Sequence, residues 1–321
     1  MHVVITGSVA FDYLMTFPGR FKDAILADRL DSLSLSFLVD SLVKRRGGVA
    51  PNVAYSLALL GEHPTIMATV GEDFAPYGKA LEAAGVDISG IKVIAGESTA
   101  SFFVTTDRAL SQIASFYPGA MASAAQLSIA DLNPRPDLVL ISPNAPDAMR
   151  KYARECRELG IPYWYDPSQQ IARVGGDELR EGVDGAAALL VNEYEFALLQ
   201  EKTGYSAEHL LANIPLVVVT RGEKGASIYA EGKEYTIPIA PPRHVEDPTG
   251  AGDAFRAGVL KGYMRGLPWD VAGRLGALTA TYCLEASGTQ GQHYTPEAFL
   301  QRFCETFGRD VPCEAVKAAF E

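Results

Sequence analysis

Five short runs of apolar, often β-branched residues constrain this chain most: HVVITG (2–7), DLVLIS (137–142), PYWYD (162–166), AALLVN (187–192) and PLVVVT (215–220). They are almost continuously apolar, which suits strands covered on both faces, as in a parallel sheet. Helix-like segments lie between them. VAPNVAYSLALLG (49–61) has Pro51 in its first turn and stops at Gly61. APDAMRKYARECRELG (145–160) also stops at a glycine, and NEYEFALLQEKTG (192–204) follows a strand directly. Strands alternating with helices specify an α/β domain. At 321 residues and 48% apolar content the chain is large enough for one such domain with a small accessory part.

Two regions break the rhythm. Residues 33–37 alternate, so that Leu33, Leu35 and Phe37 share one face and Ser34 and Ser36 the other. Residues 98–117 hold two more strand-like runs around a turn. Together they predict a small antiparallel sheet projecting from the main domain. Its apolar face has no spare helix to cover it, so that face lies against a second subunit or is exposed.

The formal charge of −11 argues against nucleic acid or an anionic membrane as the main partner. It leaves room for a small anionic ligand, which a few backbone N–H groups bind locally. The N-terminus reads as a strand and turn rather than a signal peptide, and no apolar run approaches a membrane span. Four cysteines, with no CxxC pair, suggest a reduced, cytoplasmic chain.

The chemistry concentrates in EDPTGAGDAFRAG (246–258). Gly250 and Gly252, flanking Ala251, permit close backbone approach, and the free N–H groups of the helix that follows converge on one point. Such a point stabilises a migrating phosphoryl group, while Asp253 accepts a proton from an attacking hydroxyl. The plainer alternative is a glycine turn capped by Thr249. RRGGVAPN places Gly47 and Gly48 before a helix bearing Asn52, a donor and acceptor for a polyhydroxyl ligand. GSVAFD puts Asp12 beyond the first strand, where open α/β sheets bind ligands. Asn192 and Glu195 share a helix face and suit the water shell of a phosphate-bound magnesium; the same spacing is a capping box. The turn from Thr220 to Gly225 suits adenine or phosphates, or is a plain hairpin. Gln169 and Gln170, with Arg173 behind them, suit the polar edge of a ligand, and Phe102, Phe103 and Phe116 suit a flat base or the lid's own packing.

In order along the chain, GG-x3-N, N-x-x-E, T-x-G-x-x-G and D-x-T-G-x-G-D resemble the ribokinase-like (PfkB) family of carbohydrate and nucleoside kinases. Within it the chain looks most like the mycobacterial type of adenosine kinase. The resemblance implies one three-layer α/β/α sandwich over 1–321, with a β-sheet lid from about 12–46 and 96–118. It implies ATP and Mg2+, with K+ used by many relatives. It makes Asp253 the base and Gly250, Ala251 and Gly252 the anion hole. Ser8, Asp12, Gly48 and Asn52 then hold a ribose, and Ser36, Phe102, Phe116, Gln169, Gln170 and Arg173 surround the base. Asn192, Thr220, Gly222, Lys224 and Gly225 take the nucleotide, and Glu195 the metal. The implied reaction is phosphorylation of the 5′-hydroxyl of adenosine, giving AMP and ADP, by a homodimer paired through its lids. A sugar kinase, a broader nucleoside kinase and a non-catalytic nucleoside-binding protein are the alternatives. Gly71-Glu72-Asp73 departs from the family's spacing before Gly78, and no role is assigned to it.

Overall fold

The computed structural model describes residues 1–25 and 34–320. The main sheet contains β1 (Val3–Thr6), β4 (Thr65–Val70), β5 (Ile91–Val93), β8 (Leu138–Ile141), β9 (Tyr163–Tyr165), β10 (Ala188–Asn192), β11 (Leu216–Thr220), β12 (Ala226–Ala230) and β13 (Lys233–Ile237). The lid contains β2 (Ala10–Thr16), β3 (Ser41–Gly47), β6 (Ala100–Thr106) and β7 (Gln112–Tyr117). The nine-stranded order is β13-β12-β11-β10-β9-β8-β1-β4-β5, parallel from β11 through β5 with β12 and β13 antiparallel at one edge.

Alternation within the apolar runs feeds two cores. Val3, Ile5, Leu138, Leu140, Leu190 and Val218 face one layer of helices; Val4, Val139, Ile141, Leu189, Val191 and Val217 face the other. The three-layer α/β/α expectation therefore holds. It follows from strands that have no polar face to show to water.

The lid sheet runs β3-β2-β6-β7. Its strand from the early region is Ser41–Gly47, paired with β2 from Ser41↔Thr16 to Gly47↔Ala10, and not the alternating stretch at 33–37. Residues 34–39 have no regular structure, and Leu33 lies outside the described residues. Phe37 instead packs on Phe17 and Phe21, with ring centroids 4.9 and 5.0 Å away. Apolar alternation there serves an aromatic cluster, not a ladder. The hairpin expected within 98–117 is present as β6 and β7. Asp12 belongs to the lid strand β2 and not to a turn after β1.

The expectation of four reduced cysteines is also corrected. Cys156 and Cys283 are free and buried, but Cys304 and Cys313 form a disulfide, with Cα atoms 5.5 Å apart. Cys304 lies in the helix Pro296–Phe307, and Cys313 opens the short helix after the chain has turned back. No helix among the described residues is long and apolar enough to cross a membrane.

The helix Ala251–Met264 carries Asp253 and packs closely on the helix Trp269–Leu284. The contact depends on Gly258, where a Cβ would stand 2.6 Å from the Gly276 backbone. Backbone cannot yield as a side chain tip does. Gly258→Val is therefore expected to cost about 1–3 kcal/mol, read as a lower midpoint in thermal or urea unfolding, and to lower activity by displacing the helix.

Candidate active site

The carboxyl ends of the parallel strands and the lid enclose a cavity of about 430 Å³. Ser8, Asp12, Gly48, Asn52, Phe102, Phe116, Gln169, Gln170, Arg173, Gly250 and Asp253 all line it. Thus every residue expected around the sugar and base lines one cavity except Ser36. Ser36 is exposed in the irregular segment after residue 33 and is not among the lining residues.

Asp253 is the third residue of its helix, whose N-cap is Gly250 in the left-handed region at φ 83°. A Cβ on Gly250 would press on Thr289 at 2.9 Å, so space and backbone angle both require glycine here. Thr249 does not cap the helix: no side chain does, and the Thr249 N–H donates to the Asp247 carboxylate at 3.0 Å. The helix start therefore keeps N–H groups free for an anion.

The Asp253 carboxylate accepts from the Asn52 amide at 2.9 Å and lies 3.4 Å from the Arg256 guanidinium. Burial pushes its pKa above the ordinary value, against the pull of Arg256 and the Asn52 hydrogen bond. Arg256 also donates to the fully buried Asp166 at 2.8 Å. Arg256 and Asp166 are absent from the sequence expectations. One signal was legible: Arg256 is three residues after Asp253, and so on the same helix face.

Gly47 and Gly48 serve the chain more directly than they serve a ligand. A Cβ on Gly47 would run into the Asp12 carboxylate. At Gly48, φ is 95° and a Cβ would stand 2.7 Å from the Ala10 nitrogen. The glycine pair lets β2 fold against the start of the Asn52 helix, which delivers Asp12 to the cavity. Arg45 of β3 donates to Asp247 at 3.0 Å and to Ser287 at 2.8 Å, tying the lid to the loops beside the anion hole.

Gln170 donates its amide N–H to the Asn144 carbonyl at 2.8 Å, while its buried Oε1 has no partner among the described residues. The preceding Ser168 is in the left-handed region at φ 42°. That sparsely populated backbone is held where Gln169 and Gln170 are aimed.

The residues expected to take the nucleotide lie apart from this cavity, beside it on the same sheet edge. Asn192 and Thr220 end adjacent parallel strands in register. Asn192 and Glu195 form a complete capping box, with both hydrogen bonds at 2.8 Å. Glu195 Oε1 meets the Ser168 hydroxyl at 3.3 Å. Gly222 and Lys224 are exposed in a tight connection between β11 and antiparallel β12, so the turn ending at Gly225 is a hairpin open to solvent. Among the described residues no three His, Cys, Asp or Glu side chains cluster to cage a metal ion. Gly71 and Asp73 have a structural job: Asp73 accepts from the Thr99 N–H at 2.8 Å and from its hydroxyl at 2.7 Å.

The family model for the pfkB family carbohydrate kinase matches residues 6–296. The chain belongs to that family. It is 34% identical to the nucleoside kinase of Burkholderia thailandensis solved in complex with inosine, at a TM-score of 0.86, covering 95% of this chain and 98% of that one. The same kinase has been solved with ADP and inosine together. The nucleoside kinase of Methanothermobacter thermautotrophicus is 30% identical over 315 residues, 97% of this chain and 98% of that protein. That of Methanocaldococcus jannaschii is 28% identical over 302 residues, 94% and 96% respectively. These relatives are named for nucleosides as a class, broader than adenosine alone. The pfkB-family chain is a kinase with a hydroxyl acceptor.

Burial pushes Asp12 up from 3.8 to about 6; Arg45 opposes the shift, and Asp247 and Asp253 add to it. A carboxyl raised in the folded state gives its full stability below its unfolded pKa and loses it as pH rises through the folded value. Ionised Asp12 then costs about 2–3 kcal/mol. Asp12→Asn should raise the melting temperature by a few degrees at pH 8 and barely change it near pH 3.5, as calorimetry would show.

Proposed function

We propose that this kinase transfers the γ-phosphoryl group of ATP to the 5′-hydroxyl of purine nucleosides, adenosine among them, giving AMP and ADP in that case. The observation that carries the reading is the two-ended cavity. Asp12, Asn52 and Asp253 line it together with Phe102, Phe116 and the Gln169–Gln170 pair. A hydroxyl-binding end holds the ribose, and an aromatic and amide end holds a base. The exposed amide of Gln169, which lines this end, can meet the polar edge of a base, such as the exocyclic amine of adenine. Inosine bound to the Burkholderia relative supports a purine in general over adenosine alone. A free sugar would leave the aromatic end without a partner, which disfavours a sugar kinase. A purely binding protein has no use for a buried carboxylate in the first turn of the helix that opens onto the cavity.

In this reading Asp12 and Asn52 fix the ribose so that its 5′-oxygen faces Asp253. Asp253 takes the hydroxyl proton as that oxygen attacks phosphorus. The Gly250–Gly252 amides stabilise charge on the transferring group. Asn192, Thr220 and the Gly222–Gly225 turn hold the nucleotide. Magnesium would be borne mainly by the phosphates, with Glu195 holding its water shell through Oε1, and would neutralise phosphate charge. The lid excludes water, so that phosphoryl transfer goes to the nucleoside.

A panel of nucleosides and sugars with ATP and magnesium, in potassium and in sodium buffers, tests the assignment. Purine nucleosides should be phosphorylated and free ribose should not. Asp253→Asn should lower kcat by about 10²–10⁴-fold; a wild-type rate in that variant refutes the mechanism.

The lid's outer face supports a homodimer. Register puts Leu42, Phe103, Ile113 and Tyr117 on the face away from the cavity, each between 39% and 62% exposed. A second copy presenting the same face would cover it. Light scattering should give twice the chain mass, falling to monomer in Leu42→Lys; a monomeric wild type removes the proposal.

A further inference from the structure

Asn52 is buried, and its side chain is nearly symmetric in shape but not in chemistry. One end donates and the other accepts, and the neighbours decide which end faces which way. Toward Asp253 it presents Nδ2 at 2.9 Å. Its Oδ1 accepts from the Gln290 amide, Nε2 lying 3.0 Å away. The same Nε2 is 2.6 Å from the Tyr77 hydroxyl, and Tyr77 donates to the Gly47 carbonyl at 2.9 Å. Gln290 and Tyr77 are both buried.

The chain of contacts thus runs from one group that only accepts, the Gly47 carbonyl, to another, the ionised Asp253 carboxylate. Such a chain needs one member that donates in both directions. Tyr77 has a single proton, which Gly47 takes. The Gln290 NH2 has two, one for Tyr77 and one for Asn52. Turning Asn52 over would set its oxygen against the carboxylate and its NH2 against that of Gln290, losing both contacts. Gln290 keeps this arrangement although its own Oε1, buried, has no partner among the described residues.

We propose that Gln290 is a positioning residue for phosphoryl transfer: by donating to Asn52 it holds the Asn52 amide with its N–H toward the Asp253 carboxylate. This rests on the reading of Asp253 as the base. Gln290 also connects that base to the foot of the lid, since Gly47 ends β3. The other charges acting on Asp253 are Arg256 on its own helix and Glu195 beyond the next strand ends. Asp253 in turn acts on Asp12 across the cavity, on Asp166 behind Arg256 and on Cys283 of the neighbouring helix. None of these is altered by a neutral change at 290, so a shift in the base's titration reports the amide.

The test compares pH profiles of kcat for the wild type, Gln290→Met, which keeps the shape and loses both donors, and Gln290→Leu, a second neutral side chain without donors. The Asp253 carboxyl titration is followed in parallel by carbon NMR on the ligand-free full chain. Loss of the oriented hydrogen bond should move the acid limb and the titration upward by about one pH unit in both variants. Unmoved midpoints in either folded variant overturn the proposal, even if KM rises. If Gln290→Met does not fold, Gln290→Leu, neutral and likewise without donors, decides alone by the same titration. A wild-type rate in Asp253→Asn would instead remove the base reading itself, whereas an inert Asp253→Asn beside unmoved midpoints removes only the role of Gln290.

Discussion

One buried negative charge organises the cleft. Asp253 is withdrawn from water, and a carboxylate there persists only if something else solvates it. Two unlike groups do so. Arg256 supplies charge at 3.4 Å and Asn52 supplies an oriented N–H at 2.9 Å. Each comes from an element with further attachments. Arg256 is anchored by Asp166 at the end of β9, and Asn52 lies in the helix that the Gly47–Gly48 turn opens. The base is thereby surveyed from the sheet edge on one side and from the lid's foot on the other.

The lid is therefore more than a cover. β2 brings Asp12 into the cavity, and β3 brings Arg45 to Asp247 and Ser287. Burial alone would push Asp247 up, but the Thr249 and Gly288 N–H groups and Arg45 hold it below the usual carboxylate range. Asp247 stays ionised and keeps the loop before the anion hole in one conformation. Asp12 goes the other way, raised to about 6, and its ionisation works against the fold. The difference is functional: Asp247 has all its hydrogen-bond partners within the chain, whereas Asp12 faces a cavity where ligand hydroxyls can supply them. Stability spent at Asp12 is the ordinary cost of a carboxylate kept for binding.

Much of this was legible in the sequence. Continuous apolar strands gave the layers, because a strand with no polar face must be covered twice. Gln169 and Gln170 follow β9 at the carboxyl edge of the parallel sheet, and Asp12 from the lid strand β2, with Asn52 and Asp253 from the first turns of two helices, converge on them there. Three things were not legible. Ser36 follows a segment whose alternation suggested a strand, but aromatic contacts with Phe17 and Phe21 took the apolar positions and the ladder formed at Ser41–Gly47. The Cys304–Cys313 bond depends on how a helix and its successor turn back, which spacing alone does not fix. Gln290 sits in no motif: its importance comes from two acceptor-only ends meeting through it, which exists only in three dimensions.

The start of the Asp253 helix shows how such a site differs from ordinary packing. Some helices of the chain carry a side-chain cap, as where Ser206 accepts from the His209 N–H and Thr295 from the Ala298 N–H, while others, Val49–Leu59 and Trp269–Leu284 among them, begin without one. Before Ala251 a threonine is at hand, yet Gly250 takes the cap position with no side chain to offer. With glycine at the cap the loss relative to a capping side chain is only about a few tenths of a kcal/mol, whereas placing a buried carboxylate two residues inside adds a desolvation cost. Free amides beside a buried base suit a ligand that is itself an anion and that meets an alcohol there, which is the geometry phosphoryl transfer requires.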